Sequence, residues 1–161
     1  MLAFCGEESC SIDTNGRIKL PSKFSSDFSE FGEDVVLYLL PEGAIAIYPE
    51  ETYLQMRSSE PELIKEVPNS LLLRRKLRRR GAMCQSQKIS KQRRLTIPKS
   101  FRKLAGLEPN IEAVVVGVEF GIEIWNAEKW YEELELIDGY LEEKGTMEMA
   151  EDLIRSGEGS K

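Results

Sequence analysis

An internal repeat limits what this chain can fold into more than any other feature. Ile12-Asp13-Thr14-Asn15-Gly16-Arg17-Ile18-Lys19-Leu20-Pro21 is echoed 77 residues later by Ile89-Ser90-Lys91-Gln92-Arg93-Arg94-Leu95-Thr96-Ile97-Pro98. At that offset Arg17 falls on Arg94, Pro21 on Pro98 and Phe24 on Phe101, and further out Ile45 meets Ile122, Ile47 meets Ile124, Tyr48 meets Trp125 and Tyr53 meets Trp130. A period this long, occurring twice in 161 residues, argues against a solenoid and for two copies of one small β-rich unit. Each half alone would have few strands and exposed edges, so the halves are expected to share one core.

Within each half the pattern reads as two hairpins and short helices. Ser9 to Ile12 and Arg17 to Leu20 alternate, with Cys10, Ile12, Ile18 and Leu20 on one face and Asp13-Thr14-Asn15-Gly16 supplying turn chemistry between them. Pro21 stops the strand and opens a short helix carrying Phe24 and Phe28. Asp34 to Leu40 and Ala44 to Tyr48 form the next hairpin across Pro41-Glu42-Gly43, and Pro49-Glu50-Glu51 opens a helix. Ser58 to Ser70 is the joint between halves. Asn69 or Ser70 caps a helix to about Arg80, ended by Gly81, with Leu72, Leu73 and Leu77 facing the core. In the second half Met83 to Ile89 pairs with Leu95 to Ile97, Lys99 to Ala105 is helical and closed by Gly106, and Ala113 to Glu119 pairs with Ile122 to Trp125. A last helix runs from about Ala127 to Lys144, with Trp130, Leu134, Ile137 and Leu141 as a core-facing stripe and an oligomer contact as the alternative. The expected organisation is a first repeat over 1–57, a linker and basic helix over 58–80, a second repeat over 81–126, a C-terminal helical region over 127–156 and a disordered tail over 157–161.

The residue types exclude much chemistry. The chain has no histidine, and its three cysteines, Cys5, Cys10 and Cys84, form no CxxC pair. A zinc site or a Cys-His nucleophile is therefore not expected, and the cysteines read as buried or half-buried free thiols. Asp and Glu are plentiful, but without histidine, a Gly-rich phosphate loop or a nucleophile motif nothing supports an enzyme, a cofactor or a small-molecule substrate. The N-terminus lacks a basic start and a long apolar run, and the longest apolar run, Val35 to Leu40, is too short to span a bilayer. A cytoplasmic protein without membrane contact is expected.

Charge is unevenly placed. The net charge of −6 hides a stretch from Leu71 to Leu104 with thirteen Lys or Arg and no Asp or Glu, while the rest holds nine basic and all 28 acidic residues. Local charge decides which partners approach, so the basic block points to phosphate.

Two Asp/Ser-x-x-x-Arg turns at fixed offset, each followed by apolar-x-apolar-Pro and a phenylalanine, resemble the MraZ family of bacterial transcriptional regulators, built from two tandem AbrB-like halves. The resemblance runs from about Met1 to Glu143 and includes the Gly-Val-x-x-x-x-Glu-Ile-Trp stretch, Gly117 to Trp125, and the Trp130 helix after it. It implies a mostly β fold with short helices: an AbrB-like swapped-hairpin (double-split) β-barrel formed by the two repeats, plus a C-terminal helix. It also implies a ring-shaped homo-oligomer, associated with the nucleoid, that binds short direct repeats in double-stranded DNA upstream of the division and cell-wall gene cluster and so regulates its own operon. In the family the turn arginines, here Arg17 and Arg94, lie on the DNA-binding surface. The second turn departs from the pattern: Ser90 replaces an aspartate that could tether Arg94, and Arg93 replaces a glycine suited to a left-handed conformation. This leaves open whether the second turn has the same shape and reads DNA as the first does.

Arg17 and Arg94 are the candidates for base contact, since arginine to guanine is the commonest specific pairing. Lys19, Lys91 and Arg93 are candidates for phosphate, and Asp13 and Asn15 complete the expected surface. The bland reading of Asp13 and Arg17 is a surface pair across a turn, contributing at most about 1 kcal/mol. Arg74, Arg75, Arg78, Arg79 and Arg80 suit either DNA or the acidic C-terminal helix of a neighbouring subunit, with Glu132, Glu133, Glu135, Glu142 and Glu143 available. The alternative function is an antitoxin-like protein-interaction module on the same half-fold with only nonspecific DNA contact.

Overall fold

The computed structural model describes residues 2–58 and 63–158. The first half runs β1 (Glu7–Ser11), β2 (Arg17–Lys19), α1 (Ser22–Ser29), β3 (Asp34–Leu39), β4 (Ile45–Pro49) and α2 (Glu50–Ser58). The connection holds α3 (Leu63–Glu66), a 3-10 turn over Val67–Asn69 and α4 (Leu71–Ala82); residues 59–62 of the expected joint lie outside the described ones. The second half repeats the order as β5 (Cys84–Lys88), β6 (Arg94–Thr96), α5 (Lys99–Ala105), β7 (Glu112–Gly117) and β8 (Ile122–Asn126), followed by α6 (Ala127–Glu158).

Strand pairing departs from the local hairpins that alternation suggests. β1 does not pair with β2, and among the described residues a single bridge joins Ile12, just past β1, to Ile18; β1 pairs with β7, and β2 pairs with β6. Likewise Met83 to Ile89 does not pair with Leu95 to Ile97, because β5 runs along β3. Alternation marks a strand and its buried face but says nothing of its partner. The other two expected hairpins, β3 with β4 and β7 with β8, are present. The result is an antiparallel six-stranded sheet ordered β1-β7-β8-β4-β3-β5 beside a β2-β6 ribbon. Swapping the two halves turns the sheet order into its own reverse. Ile18 pairs with its repeat equivalent Leu95, and Ala46 with its equivalent Glu123, which places an approximate two-fold axis through both pairs. The hydrogen-bonded ladder is open at β1 and β5, and closure comes from the core. Phe4, Phe24, Phe28, Leu37 and Ile47 of the first half pack there with Ile97, Phe101, Leu107, Val115 and Ile124 of the second. The 77-residue offset is not uniform: Asp34 corresponds to Glu112, one residue further, and the two adjacent connections compensate.

The helices follow their caps. Pro21 and Pro98 sit at the N-caps of α1 and α5, and Gly106, at φ 67°, closes α5. Ser70 caps α4 by accepting from the Leu73 N–H at 3.1 Å. Two expectations for α4 need correction. Leu73 and Leu77, four residues apart, are half-buried, but Leu72 lies about 100° round the helix and is exposed. Gly81 does not end the helix, which continues to Ala82 and closes at Met83.

α6, 32 residues and about 48 Å at 1.5 Å per residue, belongs to a separate unit that begins at Ala127. It extends past the expected end at Lys144, because the residues from Thr146 to Arg155 include good helix formers and no proline. Gly157 and Glu158 are helical rather than part of a disordered tail, and residues 159–161 lie outside the described ones. Of the expected core-facing stripe only Trp130 is buried; Leu134 is half-buried, and Ile137 and Leu141 are exposed. Tyr131, Leu136, Tyr140, Met149, Leu153 and Ile154 are exposed as well. No helix among the described residues is long and apolar enough to cross a membrane.

Gly117, at the end of β7, marks the tightest backbone approach between β7 and the N-terminal segment. Its N–H donates to the Gly6 carbonyl at 2.8 Å, and a Cβ there would run into the Phe4 carbonyl and the Cys5 nitrogen. Gly117→Ala is expected to lower stability by about 1–3 kcal/mol. The change should appear as a lower denaturation midpoint at unchanged denaturant slope, whereas an unchanged midpoint would mean that the Phe4 segment yields freely.

Candidate nucleic-acid interface

The first turn is built on Asp13. Its N–H donates to the Arg17 carbonyl at 2.9 Å, and its carbonyl accepts the Gly16 N–H at 3.0 Å. Its side chain accepts the backbone N–H groups of Asn15 and Arg17 on Oδ1 at 2.8 and 2.9 Å, and Arg17 Nε on Oδ2 at 3.1 Å. The Arg17 backbone bond chiefly holds the Asp13 carboxyl below its ordinary pKa, with the Asn15 N–H and the Arg17 guanidinium adding to it. The pair is part-exposed, so it adds little stability; its effect is to aim the guanidinium.

The second turn has the same backbone shape. Ser90 N–H donates to the Arg94 carbonyl at 2.9 Å, Arg93 N–H to the Ser90 carbonyl at 2.9 Å, and Arg94 N–H to Ser90 Oγ at 3.0 Å. Ser90 Oγ thus takes over one of the two N–H groups that Asp13 Oδ1 accepts and supplies no second oxygen, so the turn is still closed while the Arg94 guanidinium lacks the tether that Arg17 has. Arg93 takes the left-handed conformation of Gly16, at φ 64° against 77°. For a side chain with Cβ this costs on the order of 1 kcal/mol.

Each turn is gripped by the other half. Leu20 N–H donates to the Arg93 carbonyl and Ile97 N–H to the Gly16 carbonyl, both at 2.8 Å. Between them lies the β2-β6 ribbon, whose inner positions are Ile18 and Leu95, 0% and 1% exposed. Its outer positions are therefore Arg17 opposite Thr96 and Lys19 opposite Arg94. Lys19 and Arg94 are exposed, and neither has a carboxylate partner among the described residues. Like charges directly opposite in a sheet destabilise by about 0.2–1 kcal/mol. A fold that keeps them there at the tip of its two-fold axis has made a cationic face two strands wide, a width that fits a DNA major groove. Asn15, Lys91 and Gln92 are exposed at the turn tips.

The arginines of α4 divide. Arg79 donates to Tyr38 Oη and, through both terminal nitrogens, to the Leu39 carbonyl, all at 3.0 Å. Arg74 donates to the Val67 and Pro68 carbonyls at 3.0 Å. These two hold the helix to its surroundings. Arg75 and Arg78 are exposed, and Arg80 is half-buried. Two residues at the ribbon escaped the sequence reading. Thr96 would have been found as the repeat equivalent of Lys19. Arg102 carries no motif, and only its packing over Gly16 reveals it: a Cβ on Gly16 would lie 2.5 Å from the Arg102 Cζ.

Burial pushes the Cys10 thiol up to about 12, which leaves it un-ionised at neutral pH, and no group of three or more His, Cys, Asp or Glu among the described residues could hold a metal ion.

Comparison with known proteins follows the same lines. A family model described as "MraZ protein, putative antitoxin-like" matches residues 83–145. A transcriptional regulator MraZ from Lachnoclostridium phytofermentans is 34% identical over 146 residues, covering 88% of this chain and 97% of the relative. A transcriptional regulator MraZ from Finegoldia magna is 33% identical over 132 residues, covering 79% and 83%. One from Corynebacterium kroppenstedtii is 31% identical over 127 residues, covering 79% and 83%. With its duplicated turn arginines and this similarity along most of its length, the chain belongs to the MraZ family.

Proposed function

We propose that this chain is a sequence-specific DNA-binding transcriptional regulator that uses the outer face of the β2-β6 ribbon. The observation that carries the reading is the directly opposed Lys19 and Arg94, flanked by Arg17 and Arg93, with no acid between Leu71 and Leu104. An approaching phosphate relieves that repulsion and releases counterions. Arg17 and Arg94 read base edges; Lys19, Lys91 and Arg93 contact phosphate, and Asp13 and Asn15 shape the first turn. Among the α4 arginines, Arg75 and Arg78 are the better placed for DNA or a neighbouring subunit, since Arg74 and Arg79 are engaged by backbone carbonyls.

The regulator acts as a ring-shaped homo-oligomer on short direct repeats upstream of the division and cell-wall gene cluster, its own operon included, and works at the nucleoid in the cytoplasm. Exposed apolar residues along α6 favour self-association, because a helix with such a surface gains by covering it. Repeated turns on a ring bind repeated boxes with gain from avidity. A second reading, an antitoxin-like protein-interaction module, draws on the family description and on that same apolar surface.

Fluorescence titration of DNA from immediately upstream of the protein's own gene, against scrambled DNA of equal length and at several salt concentrations, separates the two. Tight, salt-sensitive preference for the native fragment is expected; equal, weak binding to both would favour the protein-partner reading. Arg17→Ala should weaken specific binding by about 1–3 kcal/mol per engaged turn while the oligomer stays intact. Full affinity at matched oligomeric state would put the reading head elsewhere. Arg93→Gly should raise stability by up to about 1 kcal/mol yet lower the salt slope by about 1 per engaged turn. A salt slope that does not change would exclude Arg93 from the phosphate contacts.

The hold on Arg17 has an acid limit. Ionised Asp13 is favoured in the folded turn, so its contribution is full above the ordinary carboxylate pKa and fades as pH falls through the lowered one. The Arg17 amide resonance is expected to titrate with a midpoint below 3.8, while that of Arg94, bonded to Ser90, stays still. Equal movement of both resonances would contradict the Asp13 assignment.

A further inference from the structure

Gly16 and Arg93 are repeat equivalents, and so are Ser25 and Arg102. The left-handed position of the second turn carries a guanidinium: Arg93 lines a cavity with Ser25, Ser26, Ser29, Ser90 and the carboxylate-bearing Glu33. At the first turn the sizes are exchanged. Gly16 has no side chain, and the Arg102 guanidinium lies over it from α5. Arg102 Nε donates to the Ile97 carbonyl at 3.1 Å, on the residue whose own N–H holds the Gly16 carbonyl. Of its five N–H donors one is thus fixed, and the four on Nη1 and Nη2 have no acceptor among the described residues.

We infer that Arg102 is a phosphate-contact residue of the first turn, supplied by the opposite half of the chain in place of the side chain that Gly16 lacks. The inference rests on the DNA-binding reading above. A guanidinium anchored through Nε with both amino groups free is pre-organised for an oxyanion, because its planar fork matches two phosphate oxygens. Each turn then carries two guanidiniums. Arg17 and Arg102 serve the first, Arg94 and Arg93 the second, so each turn pairs one base-reading guanidinium with one phosphate-contacting guanidinium although the turn sequences differ. Arg102 holds register rather than reading bases.

The test is the slope of log affinity against log salt on the upstream DNA fragment, for wild type, Arg102→Gln, and the double variant Gly16→Arg/Arg102→Ser. Gln keeps a stem over Gly16 and a donor but removes the charge. Its slope should fall by about 1 per engaged subunit, with the preference for native over scrambled DNA retained. The double variant copies the second turn's arrangement, which this fold already accommodates, and should recover the wild-type slope. A wild-type slope in Arg102→Gln, accompanied by a lower melting temperature, would make Arg102 a strap over the turn and overturn the inference. Failure of the double variant to recover the slope would also count against it. Wild type without salt-sensitive, preferential binding would remove the DNA-binding reading itself, and this inference with it.

Discussion

Two backbone hydrogen bonds, Leu20 N–H to the Arg93 carbonyl and Ile97 N–H to the Gly16 carbonyl, tie each turn to the half of the chain that did not form it. Neither turn can be placed until both halves are folded together. The same exchange governs the sheet, where β1 lies on β7 and β5 on β3, so every edge a half would expose alone is paired or moved to the rim. Ile18 and Leu95 close the arrangement on the two-fold axis. Their full burial forces the residues on either side of them outward, and these are Arg17, Lys19, Arg94 and Thr96. The cationic face is therefore a consequence of how the core is closed.

The two turns show how a duplicated site drifts while its geometry is kept. One oxygen is enough to hold the backbone, so serine replaces aspartate without changing the loop; aiming the arginine needs the second oxygen, and only Asp13 has it. The exchange of Gly16 and Arg102 for Arg93 and Ser25 keeps the amount of side chain at each turn similar. Arg93 holds a backbone conformation that disfavours it, and Lys19 faces Arg94. Local rules broken in one small region are the mark of a surface selected for something other than stability.

Much of this was legible in the sequence. The repeat announced the two-fold relation, Asp13-Thr14-Asn15-Gly16 announced the turn, and Pro21, Pro98, Ser70 and Gly106 marked helix ends by chemistry that acts within a few residues. Partner choice among strands was not legible, since Ser9 to Ile12 alternates in the same way whether it pairs with β2 or with β7. Leu72 reads as apolar and is exposed, because composition does not reveal how far round a helix the covered face extends. The family resemblance supplied the interleaving that local pattern could not. Arg102 was invisible to both, as its place over Gly16 depends on the packing of α5 against a turn more than eighty residues away in sequence.

The most direct test of the central claim is DNA affinity in Lys19→Glu, measured beside the stability of the same protein. Glutamate opposite Arg94 replaces repulsion with attraction, so the fold should be unharmed or firmer by about 0.2–1 kcal/mol. Binding to the upstream fragment should collapse. A stable Lys19→Glu protein that binds that DNA as wild type does would contradict the proposal that the outer face of the ribbon is the DNA-binding surface.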